Sequence, residues 1–194
     1  MSKFIDYVPR QYPVCKEGVH QGVLADAEDL GVQETGFGPK RKVLFWWLLD
    51  ETGEDGRPII CLTSYTASLH PASALFKVLT IILGEEPGRH LDLEALRGIN
   101  AMLFIQHHER DGVKKMFVES LTGLPDDREI LLVPTGFVPR GERRKGKKGQ
   151  GPWADGKNCE LVRARKRPEP DDPEPPAGEE ELPAEAYDDK PVPF

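Results

Sequence analysis

The sequence predicts a mainly β domain with one inserted helix, followed by a basic segment and an acidic tail. Runs of β-branched and aromatic residues alternate with glycine-rich turns over residues 18–65, which favours strands. A stretch with helical spacing follows, and two further strand-like runs come after it. The net charge is −6 over residues 1–137, +8 over 138–168 and −9 over 169–194. We therefore expect a folded domain at 1–137, a basic glycine-rich segment at 138–167 and a disordered acidic tail at 168–194.

The first two predicted strands surround a glycine-rich basic loop. Residues 18–30 have strand composition, and Gly22 in their interior predicts a bend or a bulge. Residues 36–42 form the predicted loop, and residues 43–50 form a strand that is apolar on both faces. A half-buried strand would alternate apolar and polar residues. Either both faces of this strand are covered, or one face presents aromatic side chains to a ligand.

The remaining elements complete a β-β-β-α-β-β order. They are a strand at 57–65, a helix that ends at Gly84, a short helix at 93–96, strands at 101–108 and 114–121, and a short strand at 130–133. Asp111 and Gly112 predict a tight turn between the last two long strands. This order is that of the OB-fold, a five-stranded β-barrel with a helix between strands 3 and 4. A helix packed on an open antiparallel sheet is the alternative.

The sequence lacks the motifs of an enzyme, a metal site or a membrane protein. The five histidines are scattered, and Gly36-x-Gly38 lacks the third glycine and the helix of a dinucleotide-binding loop. Cys15, Cys61 and Cys159 are far apart and form no C-x-x-C pair, so we expect reduced thiols and no zinc. No run of about 18 apolar residues is present. We expect a non-enzymatic cytoplasmic protein without a cofactor, a metal ion or a membrane span.

Cations beside aromatic residues indicate a single-stranded nucleic acid as the ligand, because phosphates need positive charge and bases need a flat apolar surface. Three consecutive cations precede the aromatic strand, in which Trp46 is preferred over Trp47 as the ring that faces outward. A cluster at residues 143–148 could contact nucleic acid or neutralise the acidic tail. The predicted contact residues are Lys40, Arg41, Lys42, Trp46, Trp47, Tyr65, Lys114, Lys115, Arg143, Arg144, Lys145, Lys147 and Lys148.

The end of the chain resembles the C-terminal tip of bacterial single-stranded DNA-binding proteins. In that family an acidic run precedes an aliphatic residue, a proline and a terminal phenylalanine. The matching residues are Asp188, Asp189, Val192, Pro193 and Phe194. Lys190 and Pro191 interrupt the pattern. The order of elements in the body is similar to that of the single-stranded DNA-binding proteins of bacteriophages.

The resemblance implies a protein that protects single-stranded DNA in replication, recombination or repair and recruits partner proteins through its tip. A terminal ring next to a carboxylate suits a small pocket lined by cations. Two other functions are compatible with the sequence. One is a protein-interaction adaptor with an OB-like barrel, and the other is an RNA-binding protein, because stacking alone does not distinguish the two sugars. The sequence leaves the oligomeric state open, and a homo-oligomer is compatible with it.

Overall fold

The computed structural model describes residues 13–110, 112–143, 151–154 and 157–165. The described fold is mainly β. Its strands are β1 (Gly18–Thr35), β2 (Gly38–Thr52), β3 (Pro58–Thr66), β4 (Asn100–Arg110), β5 (Val113–Gly123), β6 (Ile130–Leu132) and β7 (Val162–Ala164). Its helices are α1 (Ala74–Leu83), a short 3-10 helix (Glu94–Leu96) and α2 (Arg140–Arg143).

The five long strands form one antiparallel sheet in the order β3-β2-β1-β4-β5. The two edge strands, β3 and β5, approach each other without pairing, so the sheet is strongly curved but not closed. The five predicted strands and the helix between the third and the fourth are therefore present in the predicted order. Two further strands, β6 and β7, form a separate small sheet. No helix among the described residues has the length and apolar character needed to cross a membrane.

Strand β1 pairs with both of its neighbours and bends along its length. Its register with β2 shifts between Leu24 and Asp26 and again between Asp29 and Gly31, where Gly31 has a φ of 68°. Such bulges bend a strand and increase its twist. The prediction placed the bend at Gly22, but Gly22 has a different role. A Cβ atom there would lie 2.5 Å from Leu103 Cδ1, so the glycine allows β4 side chains to pack closely on β1.

Strand β2 begins earlier than predicted, so the three cations at residues 40–42 lie in a strand and not in a loop. The turn between β1 and β2 is tight. The Thr35 hydroxyl donates to the Gly38 carbonyl at 2.7 Å, and Gly38 has a φ of 87° that suits glycine. Ladder pairing therefore continues to the end of the hairpin, where Lys40 lies opposite Gln33.

Helix α1 has local signals at both ends. The Ser73 hydroxyl accepts a hydrogen bond from the Phe76 backbone N–H, and Gly84 ends the helix in the left-handed conformation, as predicted. Leu75 and Leu79 are the buried residues of the helix. They pack into the main core on the inner face of the sheet, where Trp47 is one of the largest buried side chains.

The outer face of β1 and β2 is also covered, by residues that follow β5. Val23, Ala25 and Leu48 form a second cluster there with Leu131 and Phe137. Trp46, Ile60, Val133, Trp153 and Leu161 pack against that cluster. The folded body therefore extends past the predicted boundary at residue 137. Trp153 and Leu161, which lie in the predicted basic segment, are apolar enough to pack on the sheet.

Candidate nucleic-acid interface

Among the described residues, the most exposed large apolar side chain lies at the tip of the β1–β2 hairpin. Phe37 is 90% exposed, and the Lys40 Nζ atom lies 5.3 Å from the centre of its ring. The Phe37 N–H donates to the Thr35 hydroxyl at 3.2 Å, which fixes the turn that carries the ring. A flat apolar ring beside an ammonium group has the chemistry to stack on a nucleobase and to pair with a phosphate. Sequence reasoning missed Phe37, although an aromatic residue between two glycines in a basic stretch was a usable signal.

The neighbouring cations differ in their ion pairing and in their exposure. Arg41 is exposed, but its guanidinium forms an ion pair with the Asp29 carboxylate across the hairpin. The hydrogen bond from Arg41 lowers the pKa of Asp29, so this carboxylate stays ionised in neutral solution. Lys42 is half-buried and lies opposite Thr66 of β3. Lys40 is therefore the cation of this group that lies beside an exposed ring.

The two tryptophans of β2 point to opposite faces of the sheet. Trp47 is fully buried in the main core, and its Nε1–H donates to the Thr63 hydroxyl at 3.2 Å. It cannot stack on a ligand, which corrects its place among the predicted contact residues. Trp46 faces outward, as the sequence analysis preferred. Its ring is nevertheless half-buried against the second cluster, on the outer face of β1 and β2. Both faces of the aromatic strand are thus covered, at least in part.

Arg143 covers the Trp46 ring. Its guanidinium carbon lies 4.6 Å from the ring centre, and its Nε–H donates to the Val138 carbonyl at 2.7 Å. Burial lowers the pKa of Arg143 from its usual value. The Trp46 Nε1–H is buried and has no hydrogen-bond partner among the described residues. A cation–π contact therefore replaces the solvent over this ring.

An apolar strip continues from Trp46 across the β2–β3 pair. Leu62 lies directly opposite Trp46 in the ladder and is 46% exposed. Leu44 is half-buried on the same face of β2. Tyr65 does not join this strip, because its ring lies against Phe45 of the main core, with ring centres 5.4 Å apart. Burial raises the pKa of Tyr65. The ring is half-buried against the main core, which does not match its predicted role as a contact residue.

The β4–β5 hairpin carries the second predicted pair of cations, Lys114 and Lys115, both exposed. Lys114 lies opposite Glu109 in the ladder. Near them, the His108 and Phe117 rings stack with centres 4.5 Å apart and planes 19° apart. This second aromatic surface also escaped sequence reasoning, because a cross-strand pair is visible only once the register is known.

Strand pairing does not bring the two groups of lysines together. Ile105 of β4 lies opposite Gly18, the first residue of β1, and the β4–β5 hairpin continues beyond that point. The β1–β2 hairpin extends past the other end of β1, to Thr35 and Gly38. The two basic hairpins thus flank the outer face of the sheet from opposite ends of β1.

Part of the predicted contact set lies outside the described residues. Arg143 is described, whereas Arg144, Lys145, Lys147 and Lys148, which follow it directly, are not. The predicted partner-binding residues Asp188, Asp189, Val192, Pro193 and Phe194 also lie outside the described residues.

The ionic contacts beside Arg143 anchor the chain that precedes the basic cluster. The Arg140 backbone N–H donates to Asp26 at 2.8 Å, and the Arg140 guanidinium lies 3.2 Å from the Glu28 carboxylate. Asp26 is buried and also pairs with Arg97 at 3.2 Å. The basic cluster therefore starts from a fixed point on the outer face of β1.

The chain matches no protein-family model, and no curated protein matches its sequence.

Proposed function

We propose that this chain is a non-enzymatic single-stranded DNA-binding protein with an OB-type body. In this role it protects single-stranded DNA during replication, recombination or repair, and its acidic C-terminal tip recruits partner proteins. The strand order supports an OB-type body, because an OB-fold is a partly open five-stranded barrel in which the first strand pairs with both the second and the fourth. The curvature that brings β3 towards β5 also supports it.

The observation that carries the proposal is the exposed ring of Phe37 beside Lys40 at the β1–β2 tip. OB-folds bind oligonucleotides on the face of strands 2 and 3 and on the loops after strands 1 and 4. In this chain the corresponding elements are the strip at Trp46 and Leu62, the β1–β2 tip and the β4–β5 hairpin. Each combines an aromatic or apolar surface with a cation.

Arg143 gives the strip an additional way to bind DNA. A guanidinium lying on an indole presents its own flat upper side, on which a base can stack. The cations at residues 144–148 follow directly and are suited to phosphate contacts. The strip would therefore hold bases near the Trp46–Arg143 pair, while the segment after it neutralises the backbone.

The test is the affinity of the full chain and of Phe37→Ala for a labelled oligothymidine, measured by fluorescence anisotropy. Loss of one stacked base costs about 1–3 kcal/mol, which is roughly a 5- to 150-fold weaker affinity. Phe104→Ala is the matched control, because it removes a partly exposed phenylalanine from β4. Equal affinity of Phe37→Ala and the unchanged protein would remove the hairpin tip from the interface. Equal affinity of the unchanged protein for duplex DNA would contradict the function.

A protein-interaction adaptor is the second candidate, and one observation favours it. Val19 of β1 is 64% exposed and lies directly opposite Phe104 of β4, which is 36% exposed. Exposed apolar pairs on a sheet face can mark a protein-binding surface. The same surface would serve for a homo-oligomer. If this candidate is right, Phe104→Ala weakens partner binding and the oligothymidine binds poorly to every variant.

A further inference from the structure

Residues just before β1 pack against the end of β2 and bring together side chains that are distant in sequence. The ligating atoms of Cys15, His20 and Glu51 all lie within 4.8 Å of one another. Asp50 adjoins them, with its Oδ1 atom 3.4 Å from His20 Nδ1. The Glu51 Oε2 atom lies 3.8 Å from the same nitrogen. One thiol, one imidazole and one carboxylate therefore converge at this point, and a second carboxylate lies beside the imidazole.

The orientation of His20 determines what its second nitrogen must bind. Nε2 lies 2.8 Å from the Lys16 carbonyl oxygen, and since a carbonyl only accepts, Nε2 carries the hydrogen. Nδ1 is left facing two carboxylates. A neutral ring would direct its lone pair at two anions, which is unfavourable, whereas a positive charge between them is favourable. A histidine that binds a metal ion commonly donates its other N–H to a backbone carbonyl, as His20 does.

The other groups of the cluster are also held in place by contacts outside it. The Lys16 backbone N–H donates to Glu51 Oε2 at 3.1 Å. The second oxygen of Asp50 lies 3.8 Å from the Arg163 guanidinium, which leaves Oδ1 directed at His20.

The backbone of Cys15 is fixed on both sides. Its N–H donates to the Met116 sulfur at 3.2 Å, and its carbonyl accepts from His107 Nε2 at 2.8 Å. The thiol is buried, whereas Glu51 is only half-buried. The cluster therefore has a rigid inner ligand and an outer side that an ion can reach from solvent.

We propose that Cys15, His20 and Glu51 bind a divalent transition-metal ion, with Zn²⁺ as the best fit. Zn²⁺ takes thiolate, imidazole and carboxylate ligands in tetrahedral sites, and the three side chains here supply one of each. A thiolate disfavours Mg²⁺ and Ca²⁺, which prefer oxygen ligands alone. The ion would tie the segment before β1 to the end of β2. Sequence spacing does not predict this site, because the ligands lack the spacing of a zinc motif and the pairing of β1 with β2 is needed to bring His20 near Glu51.

The test uses untagged full-length protein from which metals have been removed. Titration with Co²⁺, which adopts the geometry of Zn²⁺ but absorbs light, should reach one ion per chain. It should produce a thiolate-to-cobalt charge-transfer band in the near ultraviolet. The band should persist in Cys159→Ser, which removes a thiol outside the cluster, and disappear in Cys15→Ser. Zn²⁺ should displace the cobalt and raise the thermal midpoint of the unchanged protein.

Several outcomes would overturn the proposal. One is the absence of the band in the unchanged protein, which would mean that the Cys15 thiol does not bind the ion. Another is an equal band in Cys15→Ser. If Cys15→Ser fails to fold by circular dichroism, Glu51→Gln replaces it, since this change retains the shape and removes one anionic ligand. Glu51→Gln should bind Zn²⁺ at least tenfold more weakly, by calorimetry, and unchanged affinity would refute its role as a ligand.

Discussion

The contact between Arg143 and Trp46 provides a quantitative test of the outer face. The guanidinium lies 4.6 Å from the ring centre, within the roughly 6 Å range of a cation–π interaction. Such a contact contributes about 0.5–1 kcal/mol when exposed and about 2 kcal/mol when desolvated. Both side chains are half-buried, so we expect about 1 kcal/mol from the pair. Arg143→Ala also removes the hydrogen bond to Val138, so its total cost should be about 1–2 kcal/mol.

A double-mutant cycle separates the pair from its surroundings. The free energy of unfolding in urea would be measured for Arg143→Ala, Trp46→Leu and the double variant. Arg128→Ala is the control, because Arg128 is an exposed arginine in the loop after β5. We expect a coupling of about 1 kcal/mol between Arg143 and Trp46. A coupling near zero, or an Arg143→Ala cost no larger than that of Arg128→Ala, would refute the reasoning.

Three further predictions concern charge. Lys40→Ala should reduce the slope of log affinity against log salt concentration by about 0.7. Arg41→Ala should change this slope less, because Arg41 already pairs with Asp29. Anisotropy titrations measure both slopes, and equal slopes would contradict this order. Burial raises the pKa of Cys61 to about 12, so its contribution to stability should be full below about pH 9 and be lost as the pH rises towards 12. Urea unfolding across this range should show a smaller decline for Cys61→Ala, and an identical decline would argue against the buried thiol as a cause. Truncation after Arg167 should strengthen single-stranded DNA binding at low salt, because the tail removed has a net charge of −9 and competes for the same cations; no change would exclude that competition.

Local chemistry explains why most of the sheet could be predicted. The aromatic run of β2, the Asp-Gly dipeptide before β5 and the glycine that ends α1 are each recognisable within a few residues. What could not be predicted depends on pairing between distant segments. Lys40 belongs to a strand because it lies opposite Gln33, in a stretch that lacks a clear alternating pattern.

In the candidate site, too, local features could be predicted and contacts between distant segments could not. The sequence indicated cations beside aromatic residues, but it could not show that Trp47 is buried while Trp46 lies under Arg143. That contact joins residues almost a hundred positions apart, so no local pattern predicts it. Phe37 was missed for another reason, because a single ring in a glycine turn is a weaker signal than two adjacent tryptophans in a strand. Trp153 and Leu161 contribute to the cover of the outer face from short segments, and these segments gain stability by packing on the sheet.

The most direct test of the proposed function is a tryptophan-fluorescence titration of Trp153→Phe with single-stranded DNA, duplex DNA and RNA at two salt concentrations. In this background the emission comes from Trp46 and the buried Trp47, so a change on binding reports the outer face. We predict a change with single-stranded DNA, weaker binding at the higher salt concentration and much weaker binding of the duplex. Equal binding of duplex and single strand, or no binding of single-stranded DNA at low salt, would contradict the proposed function.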